Sequence, residues 1–219
     1  QLNCYACHER NKQGGVGRFR KPYFETIGHV DIGDEGRLPP PLTGVGQKLK
    51  EPWMRNIFNG KAAVRPHMHF RMPKFPESAT RDLPSQFVRT DGGTQQPSEQ
   101  SVFSAARRPE LVEAGRQLMD VGCVQCHSFK GHALPGTVGV DLDGIANRVN
   151  PKWFHGFLLN PAELKARTRM PTFFPNGTSQ NKELLGGDTD KQIAAMWAYL
   201  RDLNKQPLPE KIIHARNQN

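Results

Sequence analysis

Long apolar segments are absent from this sequence of 219 residues, and no run approaches the roughly eighteen consecutive apolar residues that a membrane-spanning helix needs. Hydrophobic residues make up only 36% of the chain, whereas glycine and proline are frequent, with 21 and 18 residues. The length allows two ordinary domains, but this composition gives each of them a thin core. A bound group with a large apolar body would complete such a core.

Acidic residues are scarce relative to basic ones, since 21 Asp and Glu stand against 30 Lys and Arg and give a formal net charge of +9. A basic chain can bind nucleic acid, but no nucleic-acid-binding motif accompanies the charge, so we expect no nucleic-acid partner. An anionic membrane surface is a further alternative. A basic surface also steers encounters with acidic proteins, which raises the association rate more than the affinity.

Cysteine is limited to four residues, and all four belong to two C-x-x-C-H segments. The segments consist of Cys4, Cys7 and His8 in the first half and of Cys123, Cys126 and His127 in the second. This spacing is the attachment signature of c-type haem, in which two thiols form thioethers to the porphyrin and the next histidine ligates the iron. Zinc binding, dithiol redox chemistry and structural disulfides are the alternatives. They fit less well because the identical frames lie more than one hundred residues apart and each ends in histidine.

The two halves of the chain repeat the same order of residues. Five positions recur at an offset of about one hundred residues: Leu42, Gly44, Leu49, Trp53 and Phe58 in the first half, and Leu142, Gly144, Val149, Trp153 and Leu158 in the second. A second block, Arg71-Met72-Pro73-Lys74-Phe75, recurs as Arg169-Met170-Pro171-Thr172-Phe173. Each half therefore reads C-x-x-C-H, a Leu-x-Gly turn, a short helix opened by proline and tryptophan, and Arg-Met-Pro-x-Phe.

This order resembles the mono-haem, class I-like cytochrome c domain in duplicate. The first half also contains Gly-Asp-Glu-Gly-Arg-Leu-Pro-Pro at residues 33–40 and Arg-Pro-His-Met-His-Phe-Arg-Met-Pro at residues 65–73. With these segments it is similar to cytochrome c domains appended to large exported bacterial proteins. The resemblance implies an all-α fold of two tandem domains with long loops, each wrapped around one covalently bound haem c. We therefore expect two haem c groups with their iron. The predicted boundaries are domain 1 at residues 1–88, a flexible linker at 89–108, domain 2 at 109–206 and an extended tail at 207–219.

Domain 2 is predicted to begin and end with amphipathic helices. The leading helix starts at Pro109, and the closing helix starts near Thr189, where Gln192 completes a capping-box pattern. Domain 1 has no counterpart of that leading helix before Cys4. We expect either a longer parent chain or another element to cover the first haem.

The resemblance implies that a methionine sulfur is the sixth ligand of each iron, on the loop after the middle helix. Met72 and Met170 occupy that place, and the histidines of the C-x-x-C-H segments are the proximal ligands. A methionine beside phenylalanine can instead serve as core filling. His67 or His69, just upstream, could also ligate the first iron in place of Met72.

Arginines near the methionine loops are candidates for pairing with haem propionates, because a planar guanidinium matches a carboxylate. They are Arg65, Arg71, Arg167 and Arg169. Solvated surface arginines are the alternative for each of them.

Together these features predict an electron carrier rather than an enzyme, with no catalytic residue. The chain would relay single electrons between redox protein partners with acidic docking surfaces, as a module or subunit of a larger redox complex. The alternative is a catalytic di-haem protein of the cytochrome c peroxidase type, in which one haem is open to peroxide. Because c-type haem is attached outside the cytoplasm, we expect a periplasmic or otherwise exported location, with no transmembrane segment in this chain.

Overall fold

The computed structural model describes residues 2–24, 33–65, 68–92, 97–103 and 109–218. The chain divides into two compact units, unit 1 from Gln1–Gln96 and unit 2 from Pro97–Asn219, so the division falls inside the segment predicted as a linker. The described parts are mostly helical, as predicted. Within these ranges, no helix combines the length and the apolar character that crossing a bilayer requires.

Short helices dominate unit 1. Those in its described part are α1 (Asp34–Arg37), α2 (Val45–Lys48), α3 (Glu51–Phe58), α4 (Glu77–Thr80) and α5 (Leu83–Thr90). Gly44 opens α2 in the left-handed conformation with φ 68°, which a glycine adopts without steric cost. Pro52 lies in the first turn of α3, where its missing N–H removes no helical hydrogen bond.

A small antiparallel hairpin precedes these helices and was not part of the all-α prediction. Strands β1 (Glu9–Arg10) and β2 (Gln13–Gly14) pair directly after the first C-x-x-C-H segment. The two residues of the turn, Asn11 and Lys12, both have positive φ, at 52° and 64°. Two such residues make the turn type whose twist suits a two-residue hairpin.

A buried ion pair ties this hairpin to the end of unit 1. Arg10 Nη2 lies 2.7 Å from Asp91 Oδ1, and the side chains are 12% and 8% exposed. Asp91 Oδ2 also accepts the amide of Gly46 at 2.7 Å, which fixes α2 to the end of α5. The prediction that residues from 89 onward are a flexible linker is therefore wrong for Asp91, because its buried carboxylate is bound by both Arg10 and Gly46.

The side-chain core of unit 1 is small, as the composition predicts. The buried hydrophobic residues in its described part are Val45, Met54 and Val88, and partly buried neighbours pack around them. A Cβ on Gly46 would stand only 2.2 Å from the Phe87 carbonyl oxygen, so α2 and α5 pack backbone to backbone. This close approach takes up little apolar surface, and the core remains thin for a unit of this size.

Unit 2 has a much larger core, built on two crossing helices. Its described helices are α6 (Glu99–Val102), α7 (Pro109–Val121), α8 (Ile145–Arg148), α9 (Pro151–Leu159), α10 (Pro161–Leu164), α11 (Thr189–Arg201) and α12 (Glu210–Asn217). Helices α7 and α11 begin at the predicted residues. A Cβ on Gly115 of α7 would lie 2.0 Å from the Ala195 carbonyl oxygen of α11, so the crossing depends on this glycine.

The start of α11 differs from the predicted capping box. Asp188 is the cap, and its carboxylate accepts the Lys191 amide at 3.0 Å. Gln192 is buried and instead donates to the carbonyls of Asn181 and Leu184, at 2.7 and 2.8 Å. The capping-box assignment was wrong because Asp188, one residue earlier, already provides the cap.

Two further segments correct the predicted boundaries. Phe103, placed in the linker, is 4% exposed and packs on Trp197 at a ring distance of 5.5 Å, and Glu99 pairs with Arg201 at 2.6 Å. The tail from 207 is not extended but forms α12. Its first turn is capped from α7, because Asp120 accepts the Glu210 amide at 2.7 Å.

Candidate cofactor-attachment sites

The two C-x-x-C-H segments adopt the same local backbone structure. Each begins with a single turn of 3-10 helix, Cys4–Ala6 in unit 1 and Cys123–Gln125 in unit 2. In both, the histidine amide donates to the carbonyl of the first cysteine at 2.9 Å. The second cysteine has φ −121° in each segment. Such a turn brings both thiols and the following histidine to one side of the chain.

The histidines of both segments are held in the same way. His8 Nδ1 lies 2.7 Å from the Pro40 carbonyl oxygen, and His127 Nδ1 lies 2.8 Å from that of Val140. A carbonyl oxygen can only accept, so Nδ1 carries the proton in each ring and Nε2 keeps its lone pair. This arrangement of a metal-ligating histidine fixes the ring and raises the basicity of Nε2.

In each unit, the loop whose carbonyl oxygen holds the histidine ring also bonds to the residue that follows the histidine. The residue after His8 is Glu9, whose carbonyl accepts the Leu42 amide at 2.7 Å. In unit 2 the residue after His127 is Ser128, whose carbonyl accepts the Leu142 amide at 2.9 Å. The repeat visible in the sequence is therefore also a repeat of hydrogen bonds around the two histidines.

The electrostatics of the second site favour a neutral imidazole ligand. Burial lowers the pKa of His127, with a smaller contribution from the charge of Arg148, although the bond to Val140 opposes the shift. Gly139 allows the close packing here, because a Cβ would meet the Cys126 carbonyl oxygen at 2.3 Å and His127 Nδ1 at 2.8 Å. The ring is thus neutral at pH 7, as coordination to iron requires.

The Cys123 thiol lacks the electrostatics of a reactive dithiol. All four cysteines are free of disulfides, and Cys123 is buried while Cys126 is exposed. Burial raises the pKa of the Cys123 thiol to about 12. A reactive dithiol instead needs a lowered pKa at its attacking cysteine. No cluster of three or more His, Cys, Asp or Glu able to hold a metal ion occurs among the described residues.

The Met170 loop packs next to the second attachment segment. Met170 is partly buried against the main core cluster of unit 2, which includes Cys123 and Val124. The Phe173 ring, three residues further on, fills the space beside Gly122, where a Cβ would lie 2.6 Å from its Cζ atom. The Arg-Met-Pro-x-Phe element and the C-x-x-C-H segment are thus neighbours.

A chain of hydrogen bonds joins the Met72 loop to the segment that holds His8. Arg71 donates to the Arg65 carbonyl at 2.8 Å, and Arg65 donates to the Leu38 carbonyl at 2.8 Å, two residues before Pro40. Met72 is half-buried, whereas His69 is exposed with its ring edge on Phe70. Met72 therefore stays a prediction as the sixth ligand of the first iron, with His69 as its alternative, and His67 lies outside the described residues.

The predicted propionate partners separate into two groups. Burial lowers the pKa of the Arg65 guanidinium, whereas Arg71, Arg167 and Arg169 are exposed. The buried arginine of unit 2 is instead Arg148, which is 8% exposed and has its pKa lowered by burial. Sequence reasoning missed Arg148, although the repeat offers a signal, since it aligns with Lys48 at the end of α2.

The residues around both C-x-x-C-H segments fit haem c. Each unit offers two cysteines and a histidine with a free Nε2, a methionine loop, and at least one guanidinium in a desolvated position. A buried cation is stabilised by an anion, and a propionate carboxylate has the right shape for Arg65 or Arg148. The thin core of unit 1 leaves apolar side chains in need of a large apolar partner.

Comparison with known proteins agrees with this assignment for unit 2. Residues 112–204 match the family model of cytochrome c, and this range includes Cys123, Cys126, His127 and Met170. This part of the chain is therefore similar to a cytochrome c domain, a class of domain that carries covalently bound haem c with its iron and serves in electron transfer. The match covers less than half of the chain and does not extend into unit 1.

One curated protein shows limited similarity to the chain. The pre-mRNA-splicing factor cef1 of Emericella nidulans (strain FGSC A4 / ATCC 38163 / CBS 112.46 / NRRL 194 / M139) is 27% identical over 139 residues, 63% of this chain. The aligned part spans 17% of that protein's length, and a likeness of this extent shows no shared family. No solved structure matches the chain.

Proposed function

We propose that this chain is a di-haem c-type electron carrier, in which each unit binds one haem c with histidine and methionine as axial ligands. The observation that carries the proposal is the repeated geometry at His8 and His127. Both imidazoles are fixed through Nδ1 by a backbone carbonyl two residues before the same position of the internal repeat, Leu42 or Leu142. Two sites built alike favour two groups of one kind.

The residues of each site have separate tasks in this proposal. When bound, haem c supplies an iron that gains or loses one electron. The cysteines hold the group covalently, and the histidine coordinates with a ring that its carbonyl partner prevents from turning. The methionine sulfur, a soft and neutral ligand, favours ferrous iron and raises the reduction potential relative to a second histidine.

Buried arginines contribute to the same task without touching the iron. Arg65 in unit 1 and Arg148 in unit 2 offer positive charge at desolvated positions, where a propionate carboxylate would neutralise it. Since both axial positions of each iron would be filled by protein, the arrangement leaves no open position for a substrate. This is why we favour relay of single electrons over catalysis.

We also propose that the chain works in the periplasm or another exported compartment, with redox proteins as partners. Covalent attachment of haem c takes place outside the cytoplasm, and the net charge of +9 favours partners with acidic docking surfaces. Membership of a larger redox complex is part of this proposal.

Optical and near-infrared spectra of the oxidised and reduced protein test the proposed function. We expect the reduced α-band of thioether-linked haem and a methionine–iron charge-transfer band with the intensity of two sites. A peroxide assay with a reduced cytochrome donor is expected to give no rapid turnover. A high-spin component together with rapid peroxide turnover would instead establish the di-haem peroxidase alternative.

A further inference from the structure

Large aromatic side chains lie exposed on unit 1, beside its C-x-x-C-H segment. Phe19 is 77% exposed, Tyr23 68% and Tyr5 54%. Exposed aromatic residues are costly in contact with water and are enriched at the centres of protein interfaces. No such group of aromatic residues is exposed in the described part of unit 2, where Val121 and Leu164 are the large apolar side chains in contact with solvent.

Two hydrogen bonds hold the segment that carries these aromatic residues against the attachment segment. The Gly15 amide donates to the Tyr5 carbonyl at 2.8 Å, and Arg20 Nη2 donates to the Ala6 carbonyl at 3.1 Å. Gly14 lies so close to the Tyr5 ring that a Cβ would stand 2.7 Å from its Cδ1 atom. The segment from the hairpin to Tyr23 is therefore held next to the backbone that carries Cys4, Cys7 and His8.

The charge of this surface is positive. Residues 2–24 contain five cations and one carboxylate, that of Glu9. Arg10 and Lys21 are paired with Asp91 and Asp34. The remaining cations, Lys12, Arg18 and Arg20, are exposed, and none of them pairs with a carboxylate in the part of the chain that the structure describes. The Arg18 guanidinium lies over the Phe19 ring, 4.5 Å from its centroid.

We propose that this surface docks the acidic face of a protein electron-transfer partner, and we call it the basic–aromatic patch. It consists of Tyr5, Lys12, Arg18, Phe19, Arg20 and Tyr23. The cations would steer a negatively charged surface into place, and Phe19 and Tyr23 would then pack on apolar side chains of the partner. This inference rests on the proposed function, because docking here is useful only if unit 1 exchanges electrons.

The position of the patch favours a protein partner over an anionic membrane. Basic and aromatic residues also suit a lipid surface, but membrane binding needs no particular distance from a redox group. The patch instead lies on the backbone of Tyr5 and Ala6, between the two cysteines. A partner seated there would be adjacent to the redox group of unit 1, and one electron would pass without proton transfer or bond formation.

Two variants and a matched control test the patch, with an acidic plastocyanin as the probe. The charge variant is K12Q/R18Q, and the aromatic variant is F19A/Y23A. The control, K152Q/K182Q, removes the same charge from exposed lysines of unit 2. Binding to zinc-substituted plastocyanin reports docking without electron transfer, and oxidation of the reduced protein by the copper form reports the rate of exchange.

We expect the charge variant to lose about three- to tenfold in both affinity and exchange rate at low salt. The difference should shrink at 1 M salt, because the Debye length falls to about 3 Å. The aromatic variant is expected to bind more weakly at both salt concentrations, whereas the control should match the parent protein. If the control loses affinity and exchange rate to the same degree, the net charge of the protein alone explains the binding and the proposed patch is overturned.

Two further measurements test the basic–aromatic patch separately from the proposed function. The first is sedimentation with vesicles that contain phosphatidylserine. If the variants no longer sediment with the vesicles but still bind plastocyanin as the parent does, the patch binds a membrane and the proposal is overturned. Haem spectra and electron exchange with the small complex cobalt(III) tris-phenanthroline should be unchanged in every variant. Failure of the parent protein itself to exchange electrons with that complex would overturn the proposed function rather than the location of the docking surface.

Discussion

At the scale of single residues, ligand identity is the point on which the proposed function depends. The histidines are oriented by backbone carbonyls, but Met72 and Met170 are placed only by the loops that carry them. Each methionine precedes a proline, which keeps the methionine itself out of helical conformation. The sequence predicts both ligands from the repeated Arg-Met-Pro-x-Phe element, and they remain predictions.

Replacing either methionine should therefore remove one axial ligand. Met72→Ala and Met170→Ala are each expected to abolish about half of the methionine–iron charge-transfer intensity and to change the reduction potential of one haem. Met68→Leu is the matched control, since Met68 lies in the same loop as Met72 and should leave the band intact. A charge-transfer band of full intensity in Met72→Ala would show that Met72 is not a ligand of the iron in unit 1.

The buried pair of Arg10 and Asp91 makes a second residue-scale prediction. Arg10→Met leaves a buried carboxylate without its partner, so the free energy of unfolding of unit 1 should fall by about 3 kcal/mol. Chemical denaturation of the haem-loaded protein, followed by circular dichroism, measures the change. Arg55→Gln breaks an exposed pair with Glu51 and should cost less than about 1 kcal/mol. Equal effects of the two changes would refute a special role for the buried pair.

Residue-scale sequence reasoning found the attachment segments because their spacing is local. It named Arg167 and Arg169 because they are close to Met170 in the sequence, and it did not consider Arg148. The structure exposes the former two, whereas Arg148 at the end of α8 is buried and its charge acts on His127. The roles of Arg10 and Asp91 were also missed, because 81 residues separate them in the chain.

At the scale of secondary-structure elements, the crossing of α7 and α11 organises unit 2. Gly115→Ala would press a Cβ against the Ala195 carbonyl and is expected to destabilise unit 2 by about 1–3 kcal/mol. Gly156→Ala is the matched control within a helix, because its Cβ would meet only Leu164 Cδ1 at 3.5 Å. That change should be neutral or stabilise by up to about 1 kcal/mol. Thermal unfolding of both variants measures the contrast, and destabilisation by both to the same degree would contradict it.

The cap of α11 is expected to contribute to the acid response of unit 2. Hydrogen bonds from the backbone and side chain of Lys191 lower the pKa of Asp188 from its ordinary value of 3.8. A lowered pKa contributes stability above pH 3.8 that is lost as the pH falls through the folded-state pKa. Asp188→Asn keeps an acceptor for the cap but does not titrate, so its melting temperature should fall less between pH 5 and about pH 2 than that of the parent.

Asp188→Ala distinguishes the contribution of the helix cap to the melting temperature from that of the carboxylate charge. It removes both, so we expect a lower melting temperature at neutral pH together with the reduced acid sensitivity. An unchanged acid profile in Asp188→Asn would show that other carboxylates determine the acid response of unit 2.

Elements with strong local periodicity were predicted, and elements that depend on distant contacts were not. Helices α7 and α11 start at the predicted residues because their apolar faces and first-turn residues are read from adjacent positions. Helix α12 was missed because Asp120 of α7, 90 residues earlier, caps it. The hairpin was missed because its turn uses Asn11 and Lys12, without the glycine that usually marks such a turn.

At the scale of the whole molecule, the two units differ most in how much core their own side chains provide. Unit 1 has a small cluster around Met54, whereas unit 2 buries two crossing helices and the side chains packed on them. A haem group would therefore contribute a larger share of the stability of unit 1. The composition predicts thin cores for both units, but it cannot predict how unequally apolar surface is divided.

Selective loss of haem attachment tests this difference. Cys4→Ala with Cys7→Ala is expected to abolish hydrogen-exchange protection in α2, α3 and α5 while unit 2 stays protected. Cys123→Ala with Cys126→Ala should reduce protection in unit 2 but retain slow exchange in α7 and α11, where side-chain packing remains. Full protection of unit 1 in the first variant would contradict a core completed by haem.

The number of haem groups per chain is the most direct test of the proposal. Intact mass spectrometry of the protein, produced in a host that attaches c-type haem, should give the polypeptide mass plus two haem groups. The variant with Cys4 and Cys7 replaced by alanine, and the variant with Cys123 and Cys126 replaced, should each carry one. A single haem on the parent chain, lost when Cys123 and Cys126 are replaced and unaffected by changes at Cys4 and Cys7, would contradict the di-haem carrier and leave unit 2 as the sole cytochrome c domain.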